Sequence, residues 1–119
     1  MTHLKLGQAA ESLIVNILQK DKFTILEQNY KKFFGEVDII AQREELIIFV
    51  EVKARTTPKT SMFEIVSPAK QRKIIQVAKE YIAKNSFIDV TYRFDVALVE
   101  YKKDKQNISY IPNAFYEKR

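Results

Sequence analysis

GEVDIIAQREELIIFVEVK, Gly35 to Lys53, decides how this chain folds. Its first half, Glu36 to Ala41, and its second, Leu46 to Lys53, are both rich in β-branched residues. The polar residues Gln42 to Glu45 between them read as a tight turn, so the stretch reads as a β-hairpin. Side chains alternate faces along a strand. Glu36 and Asp38 therefore share one face of the first strand, and Phe49, Glu51 and Lys53 share one face of the second. Two registers keep these faces together. Pairing Ala41 with Leu46 sets Asp38 opposite Phe49 and Glu36 opposite Glu51. A slip of two residues sets Asp38 opposite Glu51 and Glu36 opposite Lys53. A slip of one would turn apolar residues outward, which a buried face forbids. Either allowed register gathers three carboxylates and an ammonium, with opposed Cβ atoms roughly 4.5–5.5 Å apart. Carboxylates that close repel one another unless a cation sits among them or water screens them.

Around this hairpin the chain has 119 residues, 46% hydrophobic and 29% charged, which suits one globular domain spanning residues 1–119. It has no cysteine, which excludes disulfides and thiolate metal sites and fits a reducing compartment. No apolar run approaches the roughly 20 residues of a membrane span. The N-terminus does not pattern as a signal peptide. The expected location is the cytoplasm, with no membrane partner.

The net charge of +5 is unevenly placed. From Lys53 to Lys84 eight Lys and Arg residues face two glutamates, a local charge of +6, while the rest of the chain is about neutral. A basic field concentrated just after the acidic cluster suits a polyanion such as nucleic acid. A soluble helix face would carry the same charges.

Upstream, the spacing of Leu6, Ala9, Ala10, Leu13, Ile14, Ile17 and Leu18 predicts a helix over about Leu4 to Lys20, with Thr2 as its N-cap. Glu11 falls at the margin of that apolar stripe. It can lean over a sheet edge or stay solvated, and spacing alone favours solvation. His3, the only histidine, is a poor candidate ligand or base. Phe23 to Tyr30 reads as a short strand and Tyr30 to Phe34 as a connection.

Downstream, Ala54 to Val66 reads as a polar loop carrying Arg55, Pro58 and Lys59. Ser67-Pro68 then signals a helix start, and the helix is expected to run from Pro68 to Lys84. Its apolar stripe is Ile74, Ile75, Ala78, Tyr81 and Ile82. Lys70, Lys73 and Gln76 are assigned to another face, with Arg72 and Lys79 further round. Ile88 to Tyr101 reads as a strand, in which Phe94, Val96 and Leu98 alternate with Arg93, Asp95 and Ala97. A helix joining two strands of one sheet implies that they run parallel. Asn107 to Ile111 is expected as a short edge strand and Pro112 to Arg119 as a tail. The expected fold is a mixed α/β sheet in the order α-β-β-β-α-β, with one possible extra edge strand.

Asp38 and Glu51 offer the carboxylate oxygens that a hard cation such as Mg²⁺ or Mn²⁺ prefers, with the Val52 carbonyl as a third donor. Such a cation polarises a phosphoryl oxygen and acidifies bound water. Lys53 would orient that water or stabilise developing charge. Arg55, Lys70, Arg72 and Lys73 would hold a phosphate backbone. This combination points to metal-dependent phosphodiester hydrolysis. For Glu51 and Lys53 alone, an exposed ion pair worth at most about 1 kcal/mol is the plainer explanation. That does not account for Glu36 and Asp38 beside them.

Asp38 followed by Glu51-Val52-Lys53 resembles the PD-(D/E)XK nuclease superfamily, with its restriction-endonuclease-like core. GEVDIIA, FVEVKAR, the Ser-Pro-Ala-Lys helix start and RFDVALV more closely resemble the YraN family of bacterial proteins, over about Gly7 to Val99. That family is regarded as nuclease-like and related to archaeal Holliday junction resolvases. The resemblance implies Asp38, Glu51 and Lys53 as the catalytic residues, with Asp38 and Glu51 as metal ligands, Lys53 as the catalytic lysine and Glu11, from the first helix, as a further acidic metal ligand. Glu36 would be an additional site acid. It also implies DNA as partner, branched DNA as a candidate substrate, and a homodimer by analogy with the resolvases. Val37 stands where the superfamily pattern has proline, and a Gln-x-x-x-Tyr pattern is absent, since Ile75 lies four residues after Gln71. A catalytically silent binding module with the same basic groove is the alternative function, and a protein-interaction domain a third.

Overall fold

The structure is a computed structural model that describes residues 2–57 and 61–118. Its elements are α1 (His3–Lys20), β1 (Thr24–Lys32), β2 (Gly35–Arg43), β3 (Leu46–Arg55), α2 (Met62–Ile65), α3 (Pro68–Lys84), β4 (Thr91–Lys102) and β5 (Lys105–Phe115). The strands form one sheet in the order β1-β2-β3-β4-β5. Neighbouring strands are antiparallel except β3 and β4, which run parallel with Leu46 beside Thr91 and Glu51 beside Val96. The fold is therefore mixed α+β with a five-stranded sheet and three helices.

Both long helices begin where their caps dictate. Thr2 Oγ1 accepts from the Lys5 N–H at 3.2 Å, and Ser67 Oγ accepts from the Lys70 N–H at 3.2 Å with proline opening α3. Each cap satisfies one of the orphan N–H groups of a first turn. The helices cover opposite faces of the sheet. Ala10, Ile14 and Leu18 of α1 pack with Ile39, Ile48, Val50 and Val99. Ile74, Val77 and Tyr81 of α3 pack with Ile40, Phe49, Phe94 and Leu98. Covering both faces explains the continuous apolar runs Leu46 to Val50 of β3 and Val96 to Val99 of β4.

Several boundaries depart from the sequence reading, among them the start of β4, which lies at Thr91 rather than Ile88. β1 extends to Lys32, so only Phe33 and Phe34 link it to β2 rather than a connection from Tyr30. The segment Ala54 to Val66 is not all loop. Its start belongs to β3, and Ser61 caps the short α2 by accepting from the Phe63 N–H. Pro58 and Lys59 lie outside the described residues. The strand expected over Asn107 to Ile111 spans Lys105–Phe115, so most of the presumed tail from Pro112 is sheet, and Phe115 is buried. The register against β4 shifts there, between Phe94 paired with Phe115 and Val96 paired with Ile111. Pro112 has no N–H to offer a ladder, and a bulge is where a strand tolerates it. Arg119 lies outside the described residues.

Gly35 opens β2 directly beneath α3. A Cβ there would lie 3.1 Å from Lys73 Cβ and 3.2 Å from Val77 Cγ2. Its missing side chain lets the helix settle on the strand that carries Asp38. Among the described residues, no helix is long and apolar enough to cross a membrane.

Candidate functional site

The hairpin adopts the slipped register. Arg43 pairs with Leu46 and Ile39 with Val50, which puts Asp38 and Glu51 next in line. The two-residue link Glu44-Glu45 sets this register, with Glu44 in the left-handed region at φ 55°. Beyond Ile39 and Val50 the backbone ladder stops. In its place the Val52 N–H donates to Asp38 Oδ2 at 2.8 Å. Strand β2 also rotates here: Ile39 packs on the α1 side, whereas Val37, two residues earlier, packs on the α3 side. The sheet forks at Asp38, and a side chain does the work of a backbone acceptor.

Glu51 is 2% exposed, an unusual position for a carboxylate. Its Oε2 faces two ammonium groups, Lys70 Nζ at 2.6 Å and Lys53 Nζ at 3.5 Å. Its Oε1 is buried without a hydrogen-bond partner. Burial, then the neighbouring charge of Glu51, pushes the Asp38 carboxyl up to about 8. Burial also raises Glu11, with Glu51 and Glu36 adding repulsion and a hydrogen bond from Asn29 opposing. Burial lowers Lys53, and the Lys70 ammonium lowers it further against the attraction of Glu51. Burial works against the charge on Lys70 too, but the hydrogen bond to Glu51 and its negative charge outweigh it and leave Lys70 raised.

Of the residues singled out in the sequence, Asp38, Glu51 and Lys53 meet in one cluster. Glu11 reaches its electrostatic neighbourhood half-buried, from the opposite face of the sheet. Glu36 is exposed and pairs in register with Lys31 of β1, so it stands at the rim. Arg55 is half-buried at the end of β3 with its Nε unpartnered. Arg72 and Lys73 are exposed on different flanks of α3. Lys73 lies over Gly35, while Arg72 lines a groove of about 680 Å³ with Phe63 and Tyr116.

Lys70 departs from its assigned face. It is not on the polar side with Lys73 and Gln76 but turns inward onto Glu51. Lys70, Ile74, Val77 and Tyr81 follow i, i+4, i+7 and i+11, one stripe of a helix. That spacing was the available signal, masked by the assumption that a lysine belongs outside. Asn29, which supports Glu11 from a left-handed position at φ 51°, carried no signal of its own.

Among the described residues no three acidic or histidine side chains stand close enough together to make a metal cluster by themselves. The donors the structure brings together are the two carboxyls of Asp38 and Glu51. That set suits Mg²⁺ or Mn²⁺, which are commonly bound through one or two carboxylates and complete their shell with water and substrate oxygens. The unpartnered Glu51 Oε1, buried beside a second carboxyl, is the kind of atom a cation would satisfy.

Fold and site together define a small α+β protein with a buried acid–lysine cluster at a fork in a mixed sheet. The chain belongs to the YraN-like family UPF0102: a family model described as "Uncharacterised protein family UPF0102" matches residues 10–99. It is 42% identical over 111 residues to a UPF0102 protein of Alkaliphilus metalliredigens, covering 92% of this chain and 96% of the relative. A UPF0102 protein of Clostridioides difficile is 43% identical over 116 residues, 97% of this chain and 100% of its own. One from Dictyoglomus turgidum is 37% identical over 118 residues, again 97% and 100%.

Proposed function

We propose that this chain is a metal-dependent deoxyribonuclease of the PD-(D/E)XK type with a restriction-endonuclease-like core, and that branched DNA is its candidate substrate. The observation that carries the reading is the meeting of Asp38, Glu51 and Lys53 where β2 and β3 part. Asp38 and Glu51, with the Val52 carbonyl, would hold Mg²⁺ or Mn²⁺. When bound, that ion would polarise a phosphoryl oxygen and acidify a water. To serve as a ligand Asp38 would have to lose the proton that its burial favours, as metal binding generally requires. Lys53, made less basic by burial, is suited to orient a nucleophilic water and to exchange a proton with it. Arg55, Arg72 and Lys73 supply cations that would hold the phosphate backbone without reading sequence.

A second reading has its own support. Lys70 already neutralises Glu51, as it would in a nuclease fold that binds nucleic acid without cutting it. One experiment separates the two. Linear duplex, single-stranded and four-way DNA are incubated with the protein and Mg²⁺ or Mn²⁺, beside an Asp38→Ala variant. Metal-dependent cleavage that the substitution abolishes supports the nuclease. Salt-sensitive binding with no cleavage of any substrate supports the binding module.

A further inference from the structure

Two lysines contact the same buried oxygen of Glu51, and they do so from different directions. Lys53 comes from the same strand, two residues on, with its Nζ at 3.5 Å. Lys70 comes from the first turn of α3, with its Nζ at 2.6 Å. The nearer one is not the lysine of the Glu-x-Lys pattern. A carboxylate this buried needs a counter-charge, because an unpaired buried charge costs several kcal/mol. In this structure Lys70 is the main group that supplies it.

A divalent cation ligated by Glu51, through the unpartnered Oε1 or through Oε2, would sit within a few ångströms of the Lys70 ammonium. At such separations an ammonium and a dication repel strongly, more so where water is excluded. Lys70 is also the more exposed of the two partners, with its side chain 35% accessible against 2% for Glu51. It has solvent to move into, whereas Glu51 has not.

We propose that Lys70 is the resident counter-ion of Glu51 and competes with a divalent cation for it, so that cation binding releases the Lys70 ammonium toward solvent. This rests on the metal-dependent reading above and adds a second lysine with a role distinct from that of Lys53. Lys53 stays beside the reacting groups. Lys70 stabilises buried Glu51 when no cation is bound and sets how tightly a cation is held.

The test is Mn²⁺ binding, followed by electron paramagnetic resonance of the free ion, in the parent, Lys70→Met and, as a control, Lys84→Met. Methionine keeps the apolar stem and removes the charge. Lys70→Met should bind Mn²⁺ about tenfold or more tightly, corresponding to roughly 1.4 kcal/mol, and Lys84→Met should match the parent. Without metal, Lys70→Met should melt below the parent, and saturating Mn²⁺ should raise its melting temperature more than it raises the parent's. If Lys70→Met does not fold, the parent alone still decides. Acetic anhydride labelling of Lys70, read by mass spectrometry, should be several-fold faster with Mn²⁺ than without. Parent that binds Mn²⁺, with equal or weaker binding by Lys70→Met or unchanged Lys70 labelling, overturns the competition and leaves the nuclease reading intact. No Mn²⁺ binding by parent or variant overturns both.

Discussion

The backbone N–H of Val52 donates to the carboxylate of Asp38 across 2.8 Å, one step beyond the last backbone pair joining β2 and β3. The proposed metal ligand thus also closes the sheet at its fork. Asp38 cannot be removed without leaving a backbone donor looking for a partner, so Asp38→Asn, which retains an acceptor oxygen, is the cleaner probe of its charge.

That probe has a defined pH signature. The Asp38 pKa moves from 3.8 to about 8, so the folded protein holds a proton that the unfolded chain releases. The resulting stabilisation is complete below about pH 4 and is lost as pH rises toward 8. In metal-free buffer, parent stability should therefore fall between pH 5 and 8, by an amount on the order of a few kcal/mol. Asp38→Asn should remove most of that slope. Urea midpoints at four pH values measure it, and parallel curves for the two proteins would contradict the assignment.

Glu51 and Lys53 make separate contributions to catalysis under the nuclease reading. Glu51→Gln removes a ligand charge and leaves two ammoniums without their shared partner. Lys53→Met removes one donor but leaves Glu51 paired to Lys70. Both should lower the metal-dependent cleavage rate by about 10²-fold or more. Only Glu51→Gln should also weaken Mn²⁺ binding. Equal Mn²⁺ affinity in the two variants would place the cation elsewhere.

How far the sequence discloses this site depends on which forces act locally. Hairpin, faces and the Ser67-Pro68 helix start follow from alternation and capping, and α3 spans Pro68–Lys84 as its signals indicate. The choice between two registers did not follow, because both keep apolar residues inward. The two-residue turn at Glu44-Glu45 decides it, and Glu44 adopts its positive φ without being glycine. The inward turn of Lys70 is a long-range effect: only the buried charge of Glu51 makes that lysine worth enclosing. Asp95 was hidden for a similar reason. Alternation groups it with Arg93 as polar, yet it is completely buried, and beside Arg93 two of its partners, Tyr110 and Asn113, come from β5.

Asp95 is the fold's second buried acid, and it is fully paired. Arg93 donates to both its oxygens at 2.9 and 3.2 Å, the Tyr110 hydroxyl donates at 2.5 Å, and the Asn113 N–H in the β5 bulge donates at 2.9 Å. Burial, then Asp95, raises the Tyr110 phenol, keeping it protonated as a donor. Asp95→Ala strands these donors and should cost about 3 kcal/mol or more. Tyr110→Phe should cost about 1 kcal/mol. Equilibrium denaturation checks both values. Cleavage per folded molecule should be unchanged in Tyr110→Phe, since Asp95 belongs to the β4–β5 seam rather than the fork.

Gly35 links the fold to the site through packing alone. Its φ is not positive, so conformational freedom is not what glycine supplies there. An alanine Cβ would meet Lys73 Cβ at 3.1 Å, Val77 Cγ2 at 3.2 Å and the Lys73 carbonyl at 3.3 Å. The backbone of α3 is among those contacts, so a side-chain rotation cannot absorb them all. Gly35→Ala should cost about 1–3 kcal/mol through forced overpacking. Two opposed effects on Mn²⁺ binding follow: a displaced α3 that carries Lys70 away from Glu51 would tighten it, and a shift of the strand that bears Asp38 would weaken it. Combining Gly35→Ala with Lys70→Met separates them. If the strand shifts, the double variant binds less tightly than Lys70→Met alone. If Gly35→Ala acts only through the lysine, the single variant binds more tightly than the parent and the double variant matches Lys70→Met.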